Sequence, residues 1–295
     1  MLAQNKKIVL GILGGLFCFN LLAWIAVYDL SGQKFLEVTF FDIGQGDAIL
    51  IETPQGHQVL IDGGPGSTIL GKLADEMPFW DRTIDLIILS HPEADHLTGF
   101  LKILRRYKVE NILWTGVKRN TAAFEEWQKL IEEERIKEGA EIKTAQAGQK
   151  INLSKRFPCY FEILYPFEDL SGKEFTDSNN TSIVIRLVYG NNSFLFTGDA
   201  YQSVETEILE KGTNVDSDIL KISHHGSKTS SGEKFIAGVS PAVAIISAGK
   251  NNSYNHPHQE TLEILQKYDI DILRTDIDGD IKIISDSKNY GVSTF

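Results

Sequence analysis

The chain has 295 residues, of which 42% are hydrophobic and 23% charged, a balance typical of a folded protein. Its formal net charge of −11 argues against an extended basic surface that binds nucleic acid. The charge does not exclude a phosphate ester as a substrate bound at a metal site. The only two cysteines, Cys18 and Cys159, form no cluster, so any metal must be held by histidine and carboxylate ligands.

An apolar segment follows Lys6 and Lys7 and runs from residue 8 to residue 30. About 20 apolar residues span a bilayer as a helix, so we expect one transmembrane helix. The two lysines place the N-terminus in the cytoplasm and the rest of the chain outside it. A cleaved signal peptide is the alternative, but the segment is long and lacks a convincing small-residue cleavage site. We therefore predict a single-pass protein of the cell membrane, with stub, anchor and linker over residues 1–34 and one folded domain over 35–295.

Short strands are predicted next, at residues 35–43, 47–52 and 58–61, separated by glycine-containing turns as in an antiparallel meander. A nearly continuous apolar run at 83–90 predicts a strand buried on both faces. Further strands are predicted at 160–164, 182–188, 193–196, 219–222, 243–247, 271–273 and 281–284, and helices at 97–107, 124–137 and 259–268. Two strand-rich halves with helices predict an α+β fold, a four-layer αββα sandwich in one domain.

Six of the seven histidines lie in three tight groups, which is typical of a metal site in a protein almost free of cysteine. The groups are His91 with His96, His224 with His225, and His256 with His258. His57 stands alone and is predicted to lie at the surface.

The first group lies in residues 90–99 (SHPEADHLTG), directly after the buried strand. His91, Asp95 and His96 would place two imidazoles and one carboxylate around a point, a set that suits Zn²⁺, Mn²⁺ or Fe. The alternative is a histidine-rich helix start that Asp95 caps. Asp62 precedes two glycines after an earlier strand. It would orient a ligand histidine without binding the metal itself, or it would simply form a turn.

Other candidate residues also follow strands. Asp199 could bridge two metal ions about 3.5–4 Å apart, or cap a helix over 201–210. Adjacent residues of an extended segment point in opposite directions, so one of His224 and His225 is expected to complete a metal shell and the other to face substrate. His256 and His258 would donate to a substrate oxyanion, or form an ordinary surface pair.

At these residues the sequence resembles the metallo-β-lactamase superfamily, and within it the hydrolase domain of ComEC-type competence proteins. The matching stretches, in order, are 41–48 (FDIGQGDA), 62–64 (DGG), 90–96 (SHPEADH), 179–182 (NNTS), 197–199 (TGD), 220–227 (LKISHHGS) and 256–258 (HPH). The resemblance implies a metal-dependent hydrolase domain with one or two divalent ions, Zn²⁺ or Mn²⁺. It covers the hydrolase domain alone and does not imply transport of DNA.

Two departures from the family pattern fall on one metal position. Glu93 stands where the family's metal loop, His-x-His-x-Asp-His, has its second histidine. A further histidine before the bridging aspartate is replaced by the region 180–182. The ion at that position would be weakly held, would prefer Mn²⁺, or would be missing. The other position, with Asp95, His96, Asp199 and one of His224 or His225, is complete.

The resulting hypothesis is metal-assisted hydrolysis of a phosphodiester. The candidate metal ligands are His91, Asp95, His96, Asp199, His224 and His225. The candidate catalytic residues are Asp95, Asp199, His224 and His256. The candidate substrate-binding residues are Asn180, Ser182, Ser227, His256 and His258, while Asp62 and Glu93 would support the ligands.

DNA is the first candidate substrate and a nuclease related to DNA uptake the first candidate function. DNA-uptake proteins are then candidate partners, and no oligomeric state is predicted. The alternatives are a phosphoester hydrolase acting on a cell-wall polymer or a small molecule, and an inactive hydrolase-like binding module.

Overall fold

The structure, a computed structural model, describes residues 2–31, 35–154 and 158–295. It divides the chain into two compact units, Met1–Lys34 and Phe35–Phe295. The first unit contains one helix, α1 (Leu2–Ser31), in which Lys6–Ile25 is long and apolar enough to cross a membrane by length and composition. The part of the predicted linker that follows Ser31 lies outside the described residues.

The second unit contains two β-sheets and eight further α-helices among its described residues. The strands are β1 (Leu36–Phe40), β2 (Ile49–Glu52), β3 (Gln58–Ile61), β4 (Thr83–Ile88), β5 (Lys108–Trp114), β6 (Glu141–Thr144), β7 (Lys150–Asn152), β8 (Cys159–Tyr165), β9 (Val184–Tyr189), β10 (Asn192–Phe196), β11 (Ile219–Lys221), β12 (Val243–Ile246), β13 (Asp271–Arg274), β14 (Ile281–Ser285) and β15 (Tyr290–Thr294). The helices are α2 (Thr68–Glu76), α3 (Ala94–Leu97), α4 (Phe100–Ile103), α5 (Ala122–Lys137), α6 (Gln202–Glu210), α7 (Glu233–Val239), α8 (Gln259–Lys267) and α9 (Thr275–Asp278).

The strands form an eight-stranded sheet, in the order β15-β14-β1-β2-β3-β4-β5-β6, and a seven-stranded sheet, in the order β13-β12-β11-β10-β9-β8-β7. The predicted meander is the antiparallel run β1-β2-β3, and β4 and β5 then continue the sheet in parallel. In the second sheet β10, β11, β12 and β13 are also parallel neighbours. Parallel strands end on the same side of a sheet, so the loops that follow these strands gather at one rim of each sheet.

Three apolar clusters separate four layers. The central cluster lies between the sheets, where the rings of Phe40 and Phe196 approach to 6.1 Å between centroids. One outer cluster lies between the eight-stranded sheet and its helices, and Trp127 of α5 belongs to it. The other outer cluster lies between the seven-stranded sheet and its helices, and Phe235 of α7 belongs to it. This arrangement confirms the predicted α+β fold of two sheets flanked by helices.

The predicted helix at 97–107 is wrong in its bounds, because the structure has two short helices there, α3 and α4. The chain turns between them at Gly99, whose backbone packs against Gly63 so closely that an added Cβ would lie 1.7 Å from the Gly63 carbonyl oxygen. The amide of Gly63 donates to the carbonyl of His96 at 2.7 Å. These contacts fix the metal-loop residues against the end of β3.

Candidate metal centre

Asp62 organises the loop after β4. It adopts a left-handed conformation with φ 57° and is almost fully buried. Its Oδ1 accepts from the Ser90 amide at 2.8 Å, and its Oδ2 accepts from the Ser90 hydroxyl at 2.6 Å. The same Oδ2 accepts from His96 Nδ1 at 2.8 Å. Asp62 therefore orients His96, in the position that the sequence predicts for a supporting carboxylate.

Asp199 lies where four histidines meet. The Nε2 atoms of His96, His225, His91 and His224 lie 3.4, 3.5, 3.9 and 3.9 Å from Asp199 Oδ2. Asp95 completes the group, with its Oδ2 3.4 Å from His225 Nε2. The loops after β4, β10 and β11 thus bring together all six predicted metal ligands.

Hydrogen bonds fix the ring protons of the three most buried histidines. His96 Nδ1 donates to Asp62, and His225 Nδ1 donates to the Ser247 carbonyl at 2.9 Å. The Ser90 hydroxyl gives its one proton to Asp62, so its oxygen, 3.0 Å from His91 Nδ1, must accept from that ring. In the neutral form, each Nε2 then carries a lone pair directed at the Asp199 carboxylate.

This arrangement fits a cation. Among the described residues, the buried Nε2 atoms of His91, His96 and His225 and the Oδ1 of Asp199 have no hydrogen-bond partner. Lone pairs that face a buried carboxylate repel it unless a positive charge lies between them. Asp95, His96, Asp199 and His225 place one ligand atom each within 4.8 Å of one another, and nitrogen with carboxylate oxygen is a donor set for Zn²⁺ or Mn²⁺.

The ionisation of the ligands follows from the same geometry. Burial opposes the charged form of His96, but the carboxylates of Asp199, Asp62 and Asp95 outweigh it and hold its pKa well above the ordinary value. For His225, burial is likewise outweighed, chiefly by Asp199, and the pKa rises to about 9. Burial and the neighbouring His96 lower the pKa of His91 to about 3. Protons on His96 and His225 thus supply positive charge that a bound metal would displace.

The two adjacent histidines occupy different surroundings. His225 is buried at the convergence point, while the side chain of His224 is 22% exposed and its Nε2 lies 3.4 Å from Asn179 Nδ2. The prediction of an extended segment is wrong here, because both residues are left-handed, with φ 49° and 55°. The turn separates the rings, whose centroids are 6.1 Å apart.

A buried ion pair lies beside the histidines and was not predicted from the sequence. Lys221 Nζ contacts Asp47 Oδ2 and the Gly198 carbonyl, the latter at 3.2 Å, and lies 3.9 Å from Asp199 Oδ1. Both side chains of the pair are almost completely buried. Asp47 Oδ1 lies 3.5 Å from His225 Nδ1. The sequence signals were a lysine within an apolar strand and an aspartate within a matched stretch.

An open cleft of about 300 Å³ leads to the ligands. Its wall includes Arg119, from the loop after β5, which the sequence did not single out. Arg119 Nη2 binds Glu93 Oε1 at 2.8 Å, and the same oxygen accepts from the Ser178 hydroxyl at 2.5 Å. Glu93 therefore binds a guanidinium and a hydroxyl through this oxygen, and its role in supporting a metal ligand stays a prediction.

Four predicted substrate-binding residues lie outside the wall of the cleft. Asn180 Oδ1 accepts from the Tyr201 amide at 3.3 Å, and the buried Ser182 hydroxyl accepts from the Asp199 amide at 3.0 Å. Ser227 pairs with Thr229 at 2.9 Å, and His258 Nδ1 accepts from the Lys228 amide at 3.2 Å. These side chains hold the loops together. Of the predicted set only His256 lines the cleft, and Asn179 lines it where Asn180 was expected.

Glu205 of α6 braces the segment that follows the His224–His225 turn. Its carboxylate accepts from the amides of Ser231 at 2.5 Å and Gly232 at 2.8 Å. Burial raises the pKa of Glu205 to about 7, although the two amide bonds lower it. The folded state therefore holds this proton more tightly than the unfolded chain does.

This shift predicts a fall in stability as pH rises. The raised pKa stabilises the folded state by about 3 kcal/mol. This stabilisation is present in full below the ordinary pKa of 4.5 and is lost as pH rises through about 7. In the Glu205→Gln variant, which cannot ionise and keeps one acceptor, we expect a smaller fall in unfolding free energy between pH 5 and pH 8. Urea unfolding of the full chain checks it, with Glu210→Gln on the same helix as control. Identical pH dependence in both variants would contradict the assignment.

Comparison with known proteins agrees with this geometry. The pattern of the metallo-beta-lactamase superfamily matches residues 41–250. The chain belongs to the metallo-β-lactamase superfamily, whose members are generally metal-dependent hydrolases. A solved structure, Igni18, a metallo hydrolase from Ignicoccus hospitalis, shares the fold, with a TM-score of 0.51, 14% identity, and coverage of 88% of this chain and 99% of that one.

Two relatives of known name cover most of the chain. The chain is 32% identical to ComE operon protein 3 of Bacillus subtilis over 91% of its own length and 35% of that protein. It is 30% identical to competence protein ComA of Neisseria gonorrhoeae over 82% of its length and 31% of that protein. These matches confirm the predicted resemblance. The chain spans about a third of the length of these relatives.

Proposed function

We propose that this chain is a membrane-anchored, metal-dependent phosphodiesterase that cleaves DNA outside the cytoplasm. The observation that carries the proposal is the convergence of four imidazole Nε2 atoms within 3.9 Å of Asp199 Oδ2. The apolar segment Lys6–Ile25 supports the anchor, and Lys6 and Lys7 at its N-terminal end support the orientation.

Asp95, His96, Asp199 and His225 would hold the metal ion. A divalent ion bound there polarises a phosphoryl oxygen and makes water more acidic. Charge balance favours a single ion. Four carboxylates surround the site, those of Asp47, Asp62, Asp95 and Asp199, and Lys221 offsets one of them, so one divalent ion brings the site close to neutrality.

The arrangement of Glu93 also favours one ion. Glu93 occupies the position of a family histidine, but its Oε1 is bound by Arg119 and Ser178. The guanidinium of Arg119 thus occupies the Glu93 oxygen that a second ion would otherwise use. We therefore infer that the chain binds about one ion.

The remaining groups have roles that follow from their exposure. Asp95, whose side chain is 33% exposed, and Asp199, whose Oδ1 has no hydrogen-bond partner among the described residues, would accept hydrogen bonds from the attacking water and hold it in place. His224 and His256 line the cleft with ring centroids 5.4 Å apart. They would donate hydrogen bonds to the phosphoryl oxygens as charge develops.

Tyr254 supports a nucleic-acid substrate. It lines the cleft, is 62% exposed, and stacks on His256 with centroids 5.6 Å apart and the rings 24° from parallel. An exposed aromatic face beside a phosphodiester site suits the stacking of a base of single-stranded nucleic acid. The names of the competence relatives favour DNA over other phosphodiesters.

A Mn²⁺-dependent nuclease assay on linear DNA with the full chain in detergent tests the proposal. Asp95→Ala is expected to lower the rate by about 100-fold or more, because it removes both a ligand and a group that holds water. Asp75→Ala, an exposed aspartate of α2, is the matched control and should retain the wild-type rate. Equal activity of wild type and Asp95→Ala would exclude this site.

The net charge of −11 favours a smaller phosphoester as the second candidate, because extended DNA contacts need clustered basic residues. Bis(p-nitrophenyl) phosphate is a suitable probe in the same assay. Cleavage of this diester by the wild type, lost in Asp95→Ala, with intact DNA left uncut, would favour the smaller substrate.

A further inference from the structure

The loop between α2 and β4 exposes two adjacent aromatic side chains. Phe79 is 80% exposed and Trp80 is 74% exposed, and their rings meet edge to face with centroids 4.9 Å apart. In the described part of residues 35–295, no other pair of adjacent large aromatic side chains is exposed to this degree. Exposure of two adjacent aromatic rings to water is unfavourable in free energy, and such rings often belong to a contact site.

This aromatic pair lies where the chain enters the domain. β1 begins at Leu36, and Lys282 Nζ binds both Glu37 of β1, at 3.3 Å, and Glu76 at the end of α2, at 2.6 Å. Glu37 is two residues after Phe35, and Glu76 is three residues before Phe79. One ammonium group thus joins the start of the domain to the aromatic loop.

The metal cleft lies at the opposite end of the same sheet. Glu37 pairs with Glu52, and Glu52 pairs with Gln58, at the end where the domain begins. Gln58 Nε2 also donates to Asp81 of the aromatic loop at 2.9 Å. Asp62 and the loop that carries His91 and His96 follow the other ends of β3 and β4.

We propose that Phe79 and Trp80 insert into the interfacial region of the bilayer that holds the N-terminal helix. The inference rests on the proposed anchor, whose apolar segment ends at Ile25, ten positions before Phe35 in the sequence. Tryptophan prefers the membrane–water interface, where its ring is apolar and its N–H remains hydrated. A contact at this end of the sheet leaves the metal cleft, at the other end of the sheet, free for substrate. Because Glu37, Glu76 and Asp81 flank the pair, the surface suits a zwitterionic lipid.

Fluorescence of the full chain in phosphatidylcholine vesicles tests the inference. Of the four tryptophans, Trp114 and Trp127 are buried in the domain, so the Trp24→Phe variant leaves Trp80 as the exposed emitter. Trp80 emission, obtained by subtracting the Trp24→Phe/Trp80→Phe spectrum, is expected to fall by about half when the lipid is dibrominated, because interfacial side chains lie about 5–10 Å into the bilayer. The same emission should be shielded from iodide in the aqueous phase.

The Trp80→Phe variant, which retains Trp24, reports on the anchor separately. Quenching of Trp24 by dibrominated lipid without quenching of Trp80 would overturn the contact of the aromatic pair and leave the anchor standing. Absence of Trp24 quenching would overturn the anchor and the contact together.

Discussion

The Asp199→Asn variant is expected to lose the metal ion. Its metal content should fall from about one ion per chain in the wild type to almost none, and its metal affinity should fall by about 100-fold or more. Asp199 Oδ2 is the atom on which the four imidazoles converge, and its buried Oδ1 has no hydrogen-bond partner among the described residues. Asparagine has nearly the same shape, but it removes the negative charge and turns an amide NH₂ or a neutral oxygen towards the lone pairs. Elemental analysis of the purified full chain, followed by Mn²⁺ titration, measures the loss.

Asp177→Asn is the matched control for this prediction. Asp177 also lines the cleft, but its Oδ2 accepts from the Tyr201 hydroxyl at 2.8 Å and its Oδ1 accepts from the Asn179 amide at 3.0 Å. Its replacement should leave the metal content near that of the wild type. An Asp199→Asn chain that keeps its metal would mean that the ion binds elsewhere. Two ions per wild-type chain would contradict the inference drawn from Glu93 and Arg119.

The sequence predicted much of the fold because its strands are short, apolar and separated by glycine turns. The meander β1-β2-β3 and the buried strand β4 follow from local patterns of two to eight residues. The candidate ligands were found for a related reason: each follows a strand, and the ends of parallel strands meet at one rim. His91, Asp95, His96 and Asp199 therefore come together in the structure where the pattern placed them.

Long-range contacts account for what the sequence did not reveal. Lys221 belongs to an apolar strand, and only its pairing with Asp47, 174 positions away in the chain, shows that its charge serves the site. Arg119 contacts Glu93, 26 positions away in the chain, for the same kind of reason. Ser182 was expected to bind substrate, but a hydroxyl near an active site is often used by the backbone, and here it fixes the Asp199 amide. Such partners depend on tertiary packing and leave no local periodicity.

Replacement of Lys221 by methionine is expected to destabilise the folded chain by about 3–5 kcal/mol, because it leaves Asp47 buried beside Asp199 and Asp62 without its cation. A domain of this size should then melt about 10 °C lower. Burial opposes the charge on Lys221, yet the carboxylates of Asp47 and Asp199 hold its pKa above the ordinary value, so Lys221 keeps its charge in the wild type. Thermal unfolding of the full chain in detergent, without added metal, measures the change, with Lys234→Met on the exposed side of α7 as control.

The Asp47→Asn/Lys221→Met double variant distinguishes two effects of the lysine replacement. One is the unpaired carboxylate of Asp47, and the other is the lost packing of the methylene groups of Lys221. If the cost comes from an unpaired carboxylate, removal of that carboxylate should restore part of the stability, and the double variant should melt above the Lys221→Met single variant. A double variant that melts below the single one would mean that Asp47 contributes through other contacts, such as that with His225 at 3.5 Å. Recovery would establish that Lys221 stabilises the folded chain by neutralising the buried carboxylate of Asp47.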